Sequence, residues 1–247
     1  MFTLDCDRLV ARITLDRAEA RNAVPPEGWE RLVALAAAAA AGPARVLILR
    51  SALPGVFSAG ADLKQLATLL TDVPGRADFR RAMAGAFAAL ADLAIPSIAA
   101  IDGGCYGAGV ALAMACDMRI AGPAARFAIP PARLGIAYPP GDVARLALLV
   151  GPAQATLLLA SGDEIDAAEA ARIGLVDRLA DDAGVAAEAL AARIAANAPA
   201  SVRLLRRMVR EPAMAGGEAA FEASFGSLDF AEGLAARRER RTPEFGG

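Results

Sequence analysis

Apolar residues recur along this chain in short runs, each followed by small residues and then by a helical pattern. Val10–Arg17 alternates between apolar and polar positions, which predicts a strand with one buried face. Arg45–Ser51 and Ile95–Asp102 contain continuous apolar runs, typical of strands that are covered on both faces. A third such unit begins at Met118. The repeat of buried strand, small-residue turn and helix predicts an α/β fold with crossover helices.

Helical periodicity marks the segments between these strands. Pro25 opens a segment that predicts a helix with proline in its first turn. Phe79–Leu93 has amphipathic spacing, and a further helix is predicted from Val143. Gly174–Leu179 predicts a last short strand between helices.

The pattern changes after Asp182, where only helical segments follow. We therefore expect a sheet-containing core at residues 1–182 that contains the ligand-binding site. A C-terminal helical region at residues 183–247 is expected to pack against partner subunits. No linker is rich enough in Gly, Pro or Ser to indicate a separate second domain.

Composition limits the class of protein further. The 247 residues carry a formal net charge of −2, which gives no overall field that would attract nucleic acid or an anionic membrane. Three cysteines without framework spacing, and Asp5 and Asp7 where a signal peptide would be apolar, indicate a cytoplasmic protein. The charge-free run Leu32–Ala41 is far shorter than the roughly 20 residues of a membrane-spanning helix, so none is expected.

The chain contains no histidine. This excludes Ser-His and Cys-His nucleophile pairs and removes the usual zinc ligands, so no metal site is expected. Proton transfer is left to carboxylates, tyrosine, the single lysine Lys64 or ordered water.

Two glycine turns are the strongest local signals for chemistry. Ser58–Asp62 and Gly107–Gly109 each follow a predicted strand and precede a helix. Each turn is able to direct backbone N–H groups at a ligand oxygen, and two such donors form an oxyanion hole. The alternative is that these glycines only permit tight turns. The spacing from Gly104 to Gly109 does not match a dinucleotide-binding fingerprint.

Five consecutive segments resemble the crotonase superfamily, the enoyl-CoA hydratase/isomerase family, and they span nearly the whole chain in the family's order. They are ITLDRAEARNAV (Ile13–Val24), VFSAGADLKQL (Val56–Leu66), AIDGGCYGAGVALAMACDMRIAG (Ala100–Gly122), ARFAIPPARLGIAYP and the tail EGLAARRERRTPEF. The resemblance implies a crotonase-like spiral of β-β-α turns with C-terminal helices that assemble trimers or dimers of trimers. It also implies an acyl-CoA thioester substrate, with coenzyme A as part of the substrate and no separate cofactor.

The resemblance assigns roles to residues of the two turns. The thioester oxygen is expected to be held by the backbone N–H groups of Ala61 and Ala108, with Ala59 and Gly107 against the coenzyme A part of the ligand. Asp62 looks structural in the family, where it braces the turn.

The chain departs from the family at both usual catalytic glutamates. Ungapped alignment of the quoted segments places Ala111 at the first glutamate position and Pro131 at the second. Neither residue titrates, so the two-glutamate hydration mechanism and the simple isomerase mechanism both lack their acid or base.

Tyr138 and Asp142 are the candidates for the missing chemistry. Some decarboxylases of the family resemble this segment and carry tyrosine at the position of Tyr138, although they also carry a histidine where this chain has Ala61. A phenol is a good hydrogen-bond donor or acid at neutral pH, and the alternative is a tyrosine that only packs. Asp142 offers a carboxylate, or alternatively an N-terminal cap for the helix that follows.

Basic residues are candidates for the phosphates of coenzyme A because arginine binds phosphate oxygens bidentately. Arg21, Lys64 and Arg240 lie in the quoted family segments. The arginines at 203, 206, 207 and 210 share one helical face, with salt bridges between subunits or a solvated face as the alternative.

The sequence leaves three functions open. The first is a hydratase or isomerase that stabilises a thioester enolate. The second is decarboxylation or thioester hydrolysis in the same oxyanion hole. The third is an acyl-CoA-binding protein without catalysis, whereas nucleic-acid binding is not expected because basic and aromatic residues do not interleave.

Overall fold

The fold is a spiral in which each turn adds one strand to each of two sheets before a helix returns the chain. The computed structural model describes residues 1–246. Its strands are β1 Phe2–Asp7, β2 Val10–Leu15, β3 Val46–Ser51, β4 Val56–Ser58, β5 Ser97–Ile101, β6 Gly104–Tyr106, β7 Met118–Ala121, β8 Arg126–Ala128, β9 Ile165–Asp166 and β10 Arg178–Leu179. Its α-helices are α1 Pro26–Ala41, α2 Leu63–Thr68, α3 Val73–Ala91, α4 Ala108–Ala115, α5 Pro140–Ser161, α6 Ala167–Arg172, α7 Ala183–Ala195, α8 Pro199–Arg210, α9 Gly217–Ser224 and α10 Leu228–Glu239.

The two sheets divide the strands by their place in each turn. The six-stranded sheet has the order β1-β2-β3-β5-β7-β10, and the four-stranded sheet has the order β4-β6-β8-β9. The pairs β3–β5, β5–β7, β4–β6 and β6–β8 are parallel. Strand, strand, helix therefore repeats three times, which confirms the α/β spiral of β-β-α turns expected from the sequence.

Both faces of the six-stranded sheet are covered, which explains the continuous apolar runs of β3 and β5. Leu47 and Leu49 pack into the larger core cluster, whereas Val46 and Ile48 pack into a second cluster on the opposite face. Helix α7 covers that opposite face with a row of buried alanines at 183, 187, 191 and 195. The first helix after the predicted boundary at 182 thus belongs to the sheet-containing core.

Several predicted boundaries differ from the structure. Helix α3 begins at Val73 rather than near Phe79, because Asp72 caps it by accepting the Gly75 N–H at 2.9 Å. Helix α5 begins at Pro140, three residues before the predicted start. Only the last two residues of the predicted strand Gly174–Leu179 form β10.

The C-terminal part of the described chain is helical, as predicted. Helix α8 docks on the core through Arg206, whose Nε donates to Asp117 at 2.7 Å and whose Nη2 donates to the Ala91 carbonyl at 2.7 Å. Arg210 also contacts Asp117, and Arg207 pairs with Glu211 on the helix surface. Arg206 and Arg210 thus pair within the chain, and the salt bridges between subunits that the sequence left open stay a prediction. The predicted region extends to residue 247, which lies outside the described residues.

Within residues 1–246, one helix is long and apolar enough, by length and composition, to cross a bilayer. Helix α5 has a mean hydropathy of 1.6 over its most apolar window, and 22% of that window is buried. Gly151 has non-helical angles (φ 79°, ψ 157°) and divides the helix into two shorter pieces.

Candidate active site

The two glycine turns lie side by side because the strands that lead into them are parallel neighbours. Strand β4 ends at Ser58 and strand β6 ends at Tyr106. Gly60 (φ +94°) sits where the turns touch, and a Cβ on it would lie 2.7 Å from the Tyr106 carbonyl oxygen and 3.1 Å from the Ala108 nitrogen. A side chain at position 60 would push the turns apart. The spiral thus brings together two segments that the sequence separates.

Backbone hydrogen bonds around the first turn leave the Ala61 N–H free. Val24 donates to the Gly60 carbonyl at 2.7 Å and accepts from the Asp62 N–H at 3.1 Å, so this bridge uses the two neighbours of Ala61. Ala108 is the first residue of α4, where N–H groups have no acceptor within the helix. Among residues 1–246, neither the Ala61 nor the Ala108 N–H has a hydrogen-bond acceptor.

Both N–H groups belong to residues that line a cavity of about 340 Å³. The cavity collects five of the predicted site residues: Ala59, Ala61, Gly107, Ala108 and Tyr138. Its apolar wall comes from α2, α3 and the loop before α5, with Leu63, Leu66, Phe79, Met83, Leu134 and Ile136. The wall residues of α3 were not predicted, because they depend on how that helix lies over the turns.

Asp62 braces the first turn, as the resemblance implied. Its carboxylate accepts the Lys64 N–H at 2.9 Å and so caps α2, and it forms an ion pair with Arg17 at 2.8 Å. The Arg17 hydrogen bond is the main reason that the pKa of Asp62 is lowered.

Tyr138 reaches from the loop before α5 to the second turn. Its hydroxyl donates to the Gly107 carbonyl at 2.9 Å. Burial raises the pKa of the Tyr138 phenol well above its ordinary value, and the negative charge of Asp142 raises it further. The phenol is therefore protonated at neutral pH.

Asp142 lies in the first turn of α5 and is only 5% exposed. It is not the N-terminal cap, because Pro139 occupies that position without a side-chain bond. Its carboxylate pairs with Arg145 at 3.2 Å, and burial raises its pKa to about 6 although Arg145 opposes the shift. Asp142 does not line the cavity.

Of the two positions that the sequence alignment assigned to the family's glutamates, Pro131 lines the cavity and Ala111 does not. Ala111 is fully buried in α4, and Pro131 lines the cavity where it opens a short 3₁₀ turn, Pro131–Leu134. Among residues 1–246, no carboxylate lines the cavity, and Arg133 is its one charged lining residue. The wall therefore supplies no carboxylate base.

Tyr106 is a cavity residue to which the sequence assigned no role. Its hydroxyl donates to Glu164 Oε2 at 2.8 Å. Burial, followed by this hydrogen bond, raises the pKa of Tyr106. Strand alternation is the signal that could have found it, because buried Cys105 points into the core and its neighbour must face the other side.

The three predicted phosphate ligands are exposed, and none lines the cavity. The Arg21 carbonyl accepts the Ala59 N–H at 2.9 Å, so the backbone of Arg21 supports the first turn. Lys64 lies in the first turn of α2, and Arg240 ends α10 in a left-handed conformation (φ 57°). Within residues 1–246, the side chains of Arg21, Lys64 and Arg240 form no ion pair.

Parallel sheets wound in β-β-α turns, with a cavity where two glycine turns meet, define a crotonase-type protein. The model of the family "Enoyl-CoA hydratase/isomerase" matches residues 6–247. The chain is 37% identical over 245 residues to the "Probable enoyl-CoA hydratase echA8" of Mycobacterium leprae, covering 96% of this chain and 94% of that protein.

Solved structures give the same result. The enoyl-CoA hydratase of Bacillus anthracis superposes with a TM-score of 0.92 at 30% identity, covering 99% of this chain and 98% of that one. The "enoyl-CoA hydratase/carnithine racemase" of Magnetospirillum magneticum reaches a TM-score of 0.95 at 30% identity, with 99% and 95% coverage. The chain belongs to the enoyl-CoA hydratase/isomerase family of the crotonase superfamily, and its relatives are named as enzymes.

Proposed function

We propose that this protein is an acyl-CoA enzyme that stabilises the enolate of a thioester with the backbone N–H groups of Ala61 and Ala108. The observation that carries the proposal is the pair of unpartnered N–H groups at one cavity. Fixed donors aimed at a developing oxyanion lower the barrier because they need no reorganisation during the reaction.

The cavity wall supports an acyl group as the part of the ligand inside it. Phe79, Met83 and Leu66 surround the space next to the two N–H groups, which suits an apolar chain. Coenzyme A then extends outward, where Arg21, Lys64 and Arg240 are exposed cations suited to its phosphates. Coenzyme A enters as part of the substrate.

Hydration and isomerisation require a group that moves a proton at the acyl chain. The family's glutamate positions hold Ala111 and Pro131, and the Tyr138 proton is used in a bond to Gly107. Asp142 is buried and does not line the cavity. A water molecule would have to carry the proton in these reactions.

The carboxylate-free cavity favours a second candidate, the decarboxylation of a malonyl-type thioester. There the bond between the α-carbon and the carboxylate breaks, carbon dioxide leaves, and the electron pair forms the enolate. The enolate then takes a proton from water. The reaction requires stabilisation of the oxyanion but no base acting on the substrate carbon.

Mass spectrometry in heavy water tests both candidates. Saturated and unsaturated acyl-CoAs are assayed for deuterium at the α-carbon, and malonyl-type thioesters are assayed for loss of carbon dioxide. Exchange indicates hydratase or isomerase chemistry, whereas decarboxylation without prior exchange supports the second candidate. Binding without either reaction would contradict the proposal and leave an acyl-CoA-binding protein.

The substitution Gly60→Ala tests whether the activity depends on the close contact between the two glycine turns. The added methyl group would meet the Tyr106 carbonyl at 2.7 Å and separate the donors, so we expect a rate loss of about 10²-fold, as for a lost oxyanion donor. Gly216→Ala is the matched control, because Gly216 also has a positive φ (+76°) but no atom within 4 Å of its added Cβ. Equal rates in the two variants would overturn the assignment of the donors.

A further inference from the structure

The Ala108 N–H and the Gly107 carbonyl, which accepts the Tyr138 hydroxyl, belong to the same peptide group. The Gly107 carbonyl and the Ala108 N–H belong to one planar unit, so fixing the oxygen also fixes the direction of the N–H. Tyr138 donates to this oxygen at 2.9 Å. The Tyr138 side chain therefore binds the oxygen end of a peptide whose N–H belongs to Ala108, a residue that lines the cavity.

The orientation of the Gly107–Ala108 peptide is not fixed by the backbone of the turn alone. Gly107 has φ 51° and ψ −118°, a conformation outside the helix that follows, and glycine allows many alternatives. The Val110 and Ala111 N–H groups also approach the Gly107 oxygen, at 3.0 and 3.4 Å. The Tyr138 bond is the shortest of the three and the only one that originates outside the turn and its helix.

We propose that Tyr138 is a positioning residue whose hydroxyl fixes and polarises the Gly107–Ala108 peptide, so that the Ala108 N–H is a stronger donor to the thioester oxygen. The inference rests on the proposed function, because it assigns the Ala108 N–H to the substrate carbonyl. Hydrogen bonds strengthen one another when a single group accepts one bond and donates the next, because the first bond polarises that group.

The environment of the phenol agrees with this role. Because burial raises its pKa, the hydroxyl keeps its proton across the working pH range and remains a donor to the peptide. An acid would instead have to release that proton to the substrate and break the bond to Gly107. A positioning role therefore differs from acid catalysis in its dependence on pH.

Tyr138→Phe removes only the hydroxyl and tests the inference. A saturated acyl-CoA labelled with ¹³C at the thioester carbonyl is bound to the protein, and its carbonyl stretch is measured by isotope-edited infrared spectroscopy. In the wild type the band is expected at a lower frequency than in water, and in Tyr138→Phe this shift should shrink. Tyr106→Phe is the matched control for the band position, because it removes the other cavity phenol, which bonds to Glu164.

Kinetics give a second readout. We expect kcat of Tyr138→Phe to fall about tenfold, less than the ~10²- to 10³-fold loss of a whole oxyanion donor. The Kd of free coenzyme A, which has no thioester carbonyl, should not change. The shape of the pH–rate profile should also be unchanged, and loss of one limb would assign proton transfer to Tyr138 and overturn the positioning role.

The outcomes separate this inference from the proposed function. A shifted band that is identical in wild type, Tyr138→Phe and Tyr106→Phe overturns the inference and leaves the oxyanion donors in place. An unshifted band in the wild type overturns both. If Tyr138→Phe does not fold, a difluorotyrosine at position 138 keeps the shape and donates more strongly, so the band should move further down, and an unmoved band would refute the role.

Discussion

Single residues at this site depend on contacts that only the folded chain creates. The donors Ala61 and Ala108 could be proposed from two glycine turns and from the family resemblance. The structure adds Phe79 and Met83, which the sequence could not place, because their position depends on how α3 packs over the turns. It also adds Tyr106 of β6, which strand alternation could have revealed. Asp142 looked like a helix cap, but the helix starts earlier and its carboxylate is buried.

The buried carboxylate of Asp142 makes stability depend on pH. Its pKa of about 6 in the folded protein exceeds the value of about 3.9 in an unfolded chain, so the folded state binds the proton more tightly. The resulting stabilisation is complete below about pH 4 and is lost as pH rises through about 6. The difference of about two pKa units corresponds to about 3 kcal/mol.

Asp142→Asn should therefore raise the free energy of unfolding above pH 6, by up to that amount, and have little effect near pH 4. Urea unfolding of both proteins at pH 4.5 and 7.5 measures this. A constant difference between the two proteins at both pH values would show that the Asp142 carboxyl titrates as in an unfolded chain.

Individual elements were predictable where a local signal determines them. The apolar runs of β3 and β5 predicted strands because both faces of their sheet are covered. The start of α3 was missed because Val73–Gly75 contains proline and glycine, which usually end helices. Proline is compatible with the first turn, and the side chain of Asp72 completes the cap.

Helix α8 is held by a partly buried ion pair that the amphipathic pattern did not reveal. The side chains of Arg206 and Asp117 are 12% and 16% exposed, and Asp117 also accepts the Ser97 N–H at 2.9 Å. Without Arg206, Asp117 would keep only the weaker contact to Arg210 at 3.7 Å. Removing one partner of a buried pair typically costs about 3–5 kcal/mol, and we expect the lower end of that range for this partly buried pair.

Arg206→Gln should thus lower the free energy of unfolding by about 3 kcal/mol. Arg207→Gln is the matched control on the same helix, since its pair with Glu211 is exposed and such pairs contribute about 0–1 kcal/mol. Denaturant unfolding of the three proteins gives both values. Similar losses in the two variants would mean that the Arg206 pair is not specific to the docking of α8.

At the scale of the whole molecule, several large apolar side chains are exposed on the surface of a single subunit. Leu148 of α5 is 86% exposed, and Leu228 and Val209 of the C-terminal region are 89% and 80% exposed. Leu148 and Val209 line the same groove, and large contiguous apolar surfaces usually contact another protein or a membrane. The family resemblance predicted trimers or dimers of trimers.

Sedimentation equilibrium should accordingly give three or six copies of the chain, and Leu148→Glu should reduce that number. Leu70→Glu serves as a control, because Leu70 is also exposed (79%) but lies in the turn that follows α2. A monomeric wild type, or flotation with lipid vesicles, would show that lipid or another partner covers α5 instead.

The distance between the two donors along the chain has a practical consequence. Ala61 precedes and Ala108 follows the exposed segment Leu70–Asp72. A cut in this segment would give two fragments with one donor each, and neither would hold a thioester alone. Recovery of ligand binding on mixing would then report reassembly of the fold, so the molecule offers a natural position for a split-protein sensor.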